Sequence, residues 1–95
     1  MPLFVAVCID KEGSLAVRMA AREGHFAYWR DKPGALRLGG PFLDENGDMA
    51  GSLMVIEAES LGAVKALNRE DPYTLAGLFQ SVEIRPWKAT WGELP

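Results

Sequence analysis

His25 is the only histidine of the chain, and it lies on a predicted helix that also carries Arg18 and Arg22. Far downstream, Asp71-Pro72-Tyr73 closes a second predicted helix. An imidazole takes and returns a proton near neutral pH. A carboxylate bonded to one ring nitrogen fixes the tautomer and leaves the other nitrogen free to act as a base. With guanidinium groups beside it, such a pair makes a small acid–base site for a substrate on which negative charge develops. Two residues so far apart carry no distinctive spacing. The plainer alternative therefore stands alongside: a satisfied structural histidine, and an Asp-Pro turn that merely ends a helix.

At about 100° per residue, Leu15, Met19, Phe26 and Trp29 form an apolar stripe on the first helix. Arg18, His25 and Trp29 share one sector at its rim, and Arg22 falls inside it. A guanidinium among inward positions is costly unless it is paired or lines a cavity. Arg22 thus marks a polar pocket, or else it snorkels to solvent or pairs with Asp71 for stability alone. Gly39-Gly40-Pro41 either bulges a strand or lets the backbone of Gly40 and Pro41 approach a ligand. Ser52 offers a hydroxyl, but no Gly-x-Ser-x-Gly elbow surrounds it, which argues against a nucleophile. Tyr73 is ordinary packing or a wall of the same pocket. Cys8 sits in an apolar run and reads as a small core residue. One cysteine and one histidine cannot supply a structural zinc site, so no metal and no cofactor is expected.

These residues must be positioned by a single domain, 1–95, with 88–95 as a C-terminal tail. Leu3 to Ile9 and Ser52 to Ala58 are nearly continuous apolar runs, the mark of strands buried on both faces. Ser14 is the expected cap of the first helix, which runs to about Arg30, and Ser60 that of the second. Leu36 to Phe42 contains Pro41, and Gln80 to Trp87 contains Pro86. A proline cannot donate to a ladder, so both read as edge strands. Val82 and Ile84 alternate with Glu83 and Arg85, as in a strand with one wet face. Asn46-Gly47 marks a hairpin tip, and Thr74 to Leu78 a short helical turn. The order is β-α-β-β-α-β, an α+β, ferredoxin-like sandwich with the first and third strands central.

Two helices cover one face of such a sheet, yet the central strands are apolar on both. An isologous homodimer, sheet against sheet, is the simplest way to bury the second face. Trp87 and Trp91 either extend that contact or cover the end of the last strand. The formal net charge of -3, without a basic stripe, excludes the usual nucleic-acid binder. No apolar segment is long enough to span a membrane. Met1-Pro2-Leu3-Phe4 has no basic n-region, so a cytoplasmic protein with a small-molecule ligand is expected.

Taken in order, these motifs are Arg22-x-x-His25, Gly40-Pro41 before a polar hairpin, Gly51-Ser52, Asp71-Pro72-Tyr73 and Val82-x-Ile84-x-Pro86-Trp87. Together they resemble the YciI-like (YCII-related) domain family, over Leu3 to about Lys88. The resemblance implies a dimeric α+β barrel and a pocket in which His25 and Asp71 form the proposed active site. One member of the family is a dehydrochlorinase acting on a chlorinated aromatic polyol. The expectation is a cofactor-independent lyase or isomerase with His25 as base, Asp71 as its partner, and Arg22, Arg18, Gly40, Pro41, Ser52 and Tyr73 around the substrate. The alternative is a non-catalytic dimeric module that binds a small metabolite.

Overall fold

The computed structural model describes residues 1–95. It contains β1 (Leu3–Asp10), α1 (Leu15–Arg30), β2 (Leu36–Leu43), β3 (Met49–Glu57), α2 (Leu61–Glu70), α3 (Pro72–Leu75) and β4 (Phe79–Trp87). The sheet is antiparallel in the order β2-β3-β1-β4, so the apolar strands are central and the proline-bearing strands are edges. This is the ferredoxin-like α+β sandwich that the sequence implies.

Alternation along the strands sorts the two faces. Phe4, Ala6 and Cys8 of β1 and Met54 and Ile56 of β3 are buried with Val64 of α2 and Trp29 of α1. Ile84 of β4 packs against the same cluster. The other face carries Leu3, Val5 and Val7, which are half-buried, and Ile9 and Leu38, which are 42% and 47% exposed. Glu83 and Arg85 lie opposite Val7 and Val5 and border that face. Gly51 sits where a Cβ would meet the Cys8 carbonyl oxygen at 2.5 Å, so any side chain there would push β1 and β3 apart.

The inward stripe of α1 differs from the expected one. Leu15 and Met19 are 38% and 50% exposed, and the buried positions are Arg18, His25 and Trp29. The rim sector is the true inner face because α1 borders a polar cleft along Arg18 and His25 and reaches the apolar core only near its end, through Trp29 and Tyr28. Ser14 holds the N-cap position without a side-chain cap bond, whereas the Ser60 hydroxyl accepts from Ala63 N at 3.1 Å. The short helical turn starts earlier than expected, at Pro72, with Asp71 as its cap. Register runs without interruption through Gly39, Gly40 and Pro41, and the irregularities of β2 lie on either side of them. The tail does not close the end of β4, since Trp91 is 96% exposed.

Candidate active site

Asp71 closes α2 and opens α3, because Pro72 cannot continue a helix but is well suited to the first helical position. That junction leaves the Asp71 side chain wholly buried beneath α1. Its carboxylate accepts from Tyr73 N at 2.9 Å and from Trp29 Nε1 at 2.8 Å. Nδ1 of His25 lies 2.9 Å from both carboxylate oxygens. An acceptor-only carboxylate requires that Nδ1 carry the hydrogen, so in the neutral imidazole Nε2 is the lone-pair nitrogen. Nε2 makes no hydrogen bond within the protein, and His25 lines a cleft of about 580 Å³.

The Tyr73 ring stacks on the imidazole with centroids 4.0 Å apart. The same ring receives the Arg18 guanidinium, with Cζ 4.5 Å from its centroid. Burial raises the Tyr73 phenol above its usual range, against the opposing pull of Arg18, so it stays neutral. Arg18 itself is buried. Nε and Nη2 donate to the two oxygens of Asp10 at 2.8 and 2.9 Å, and Nη2 also donates to Ser52 Oγ at 2.8 Å. Burial works against the Arg18 charge, but Asp10 and, to a smaller extent, Tyr73 together outweigh it and hold the guanidinium more firmly protonated than usual. Asp10 continues the inward alternation of Phe4, Ala6 and Cys8.

Arg22 is half-buried in the same cleft and makes no pair with Asp71; its guanidinium lies 4.7 Å from the Phe26 ring centroid. Gly40, Pro41, Ser52 and Met54 form the facing wall, contributed by β2 and β3. The structure therefore gathers Arg18, Arg22, His25, Gly40, Pro41, Ser52 and Tyr73 around one cleft, with Asp71 directly behind His25. Two members of the arrangement were not among the expected site residues. Asp10 reads as part of a turn, and only its even-numbered place on β1 signals an inward position. Trp29 reads both as core and as a rim neighbour of His25, and its indole N–H serves Asp71. Cys8 is no reactive thiol: burial pushes it up to about 12. No group of three or more His, Cys, Asp or Glu side chains is arranged to hold a metal ion.

Known proteins share both sequence and structure with the chain. Protein YciI of Escherichia coli is 35% identical over 94 residues, covering 90% of this chain and 96% of its own. An uncharacterized protein of Haemophilus influenzae is 33% identical over 93 residues, with 90% and 95% covered. The structure of 5-chloro-2-hydroxyhydroquinone dehydrochlorinase from Burkholderia phenoliruptrix, in complex with 2,5-dihydroxybenzoquinone, superposes with a TM-score of 0.85 at 35% identity. It covers 93% of this chain and 95% of that one. An antibiotic biosynthesis monooxygenase shares the fold at a TM-score of 0.59 and 14% identity, over 95% and 99% of the two chains. The sequence profile of the YCII-related domain matches residues 2–88, and the chain belongs to that family.

Proposed function

We propose that the chain is a small cofactor-independent lyase or isomerase that moves a proton on a planar, aromatic or enolisable substrate. The observation that carries this reading is the free Nε2 of His25 on the cleft, backed by Asp71 at 2.9 Å. In the proposed step Nε2 takes a proton from the atom next to a saturated carbon bearing a leaving group, which an aromatic polyol presents as its keto tautomer. The electron pair of the broken bond becomes the new double bond, and the leaving group departs with its own pair. In an isomerisation the imidazolium returns the proton elsewhere on the substrate. Asp71 stabilises the imidazolium, and Arg22 stands where negative charge gathers on a substrate oxygen. Positioned proton transfer contributes about 10²–10⁴-fold, and substrate orientation supplies the remainder. The dehydrochlorinase of similar structure gives the elimination a precedent.

The same reading includes a homodimer that buries Val5, Val7, Ile9 and Leu38 between two sheets, a face otherwise open to water. Val7→Lys is expected to yield a monomer by light scattering. For the chemistry, chloride release from 5-chloro-2-hydroxyhydroquinone is measured in the parent and in His25→Gln, with circular dichroism as the folding control. Loss of turnover with the fold intact is the expected result. Turnover that survives the substitution rejects His25 as the base. Binding without chloride release by the parent favours the metabolite-binding module.

A further inference from the structure

Seventeen residues line the cleft, among them Arg18, Arg22, Arg30 and Lys32, and none is Asp or Glu. This is a marked asymmetry in a chain whose 13 acidic residues outnumber its 10 basic ones. Two of the four cations are already engaged. Arg18 is neutralised by Asp10, and Lys32 donates to the Tyr28 carbonyl at 3.2 Å with its ammonium over the Tyr28 ring. Arg30 is exposed at the rim. Arg22 differs from all three. It is half-buried and one helical turn from His25, and the ion pairs of the fold (Arg18–Asp10, His25–Asp71, Arg37–Glu57 and Arg85–Glu83) leave it out. Phe26 supports one side of its guanidinium.

Arg22 buries part of its side chain and has no carboxylate partner, so its guanidinium is free to pair with an anion that enters the cleft. Asp71 is not its partner, because that carboxylate is fully buried and committed to His25, Trp29 and Tyr73. We infer that the cleft takes a ligand that is already an anion when it arrives, a planar ring bearing an ionised oxygen acid, and that Arg22 is its anchor. The guanidinium fork matches a carboxylate or an acidic enolate bidentately, while Trp29 and Phe26 offer flat apolar surface to the ring. This deepens the reading of the cleft as a substrate site by naming the charge class of the substrate, and it does not depend on His25 acting as a base.

The test compares 2,5-dihydroxybenzoate with 2,5-dihydroxybenzamide, two rings of one shape that differ in charge, by titration calorimetry on the full chain. The parent is expected to bind the carboxylate about tenfold or more tightly than the amide. Arg22→Met keeps the alkyl stem on Phe26 and is expected to abolish the preference; Arg22→Lys retains part of it, and Arg30→Ala leaves it in place. Raising the salt concentration should weaken the carboxylate and leave the amide unchanged, a readout that needs no variant. Equal binding of the two rings, binding of neither, or a preference that survives in Arg22→Met overturns the assignment. Unimpaired chloride release by His25→Gln would reject the proton-transfer reading and leave this result standing.

Discussion

The Tyr73 ring lies against the His25 imidazole with an interplanar angle of only 16°, and it also carries the Arg18 guanidinium. One buried side chain thus fixes the plane of the candidate base and braces the arginine two turns away on the same helix. Tyr73→Leu is expected to cost about 2–4 kcal/mol of stability in urea unfolding, as for other large-to-small changes in a packed interior. Tyr73→Phe, which keeps the stack, should cost about 1 kcal/mol or less. A Tyr73→Phe loss as large as that of Tyr73→Leu would mean that the hydroxyl, not the ring, carries the contribution.

Asp71 accepts three donors, two side chains of α1 and one backbone N–H of α3. Asp71→Asn replaces one acceptor with a donor facing donors, and it removes the anion opposite His25. Urea titration is expected to show a loss of about 3–5 kcal/mol, the range for breaking a buried pair from one side. Trp29→Phe removes one donor and keeps an aromatic ring, so about 1–2 kcal/mol is expected. A near-neutral Asp71→Asn would show that the cluster is not what holds α1 to α3.

Cys8 gives the fold a predictable weakness in alkali. Its folded-state value of about 12 lies above the ordinary 9.0. The unfolded chain therefore releases the thiol proton first. Stability from this group is complete below about pH 9 and declines as the pH rises toward 12. The limiting slope is about 1.4 kcal/mol per pH unit. Tyr73 and Tyr28, both raised chiefly by burial, add losses of the same sign above about pH 10. Urea unfolding at pH 8, 9 and 10 should show the decline in the parent. In Cys8→Ala the part between pH 9 and 10 should be absent; an identical decline in that variant would assign it elsewhere.

Gly51→Ala places a methyl group 2.5 Å from the Cys8 carbonyl oxygen and 3.0 Å from the Phe42 ring. The aromatic ring can turn aside, but the β1 backbone cannot. A loss of about 1–3 kcal/mol is expected in chemical unfolding. A neutral Gly51→Ala would mean that the two central strands separate freely at this point.

The apolar runs around Val5 and Val55 and the prolines at 41 and 86 were sufficient to place all four strands. Strand order follows from burial and ladder hydrogen bonding, both written locally in the chain. His25 and Asp71 are candidates by residue type, and only the family resemblance favours their pairing over two separate structural roles, because nothing local joins residues 46 positions apart. The face of α1 was harder to read. Hydropathy favours Leu15 and Met19 as inward residues, and it scores Arg18 as outward. Pairing with Asp10 reverses that preference, and a pattern of residue types does not contain pairings. Trp29 was legible only in part: its bulk belongs to the core, while its one polar atom serves Asp71.

The His25–Asp71 contact also joins the two halves of the chain, since α1 belongs to the first β-α-β segment and Asp71 follows the helix of the second. Neither half contains the site. A chain in which only the first half has folded has an imidazole without its carboxylate, and the entropy of closing that long loop must be overcome before the pair exists. Assembly of the site is therefore expected to be late in folding, and site protection that forms together with the sheet would refute this. The buried Tyr73 amide, bonded to Asp71 Oδ1 at 2.9 Å, is the proton whose slow exchange with solvent would time it.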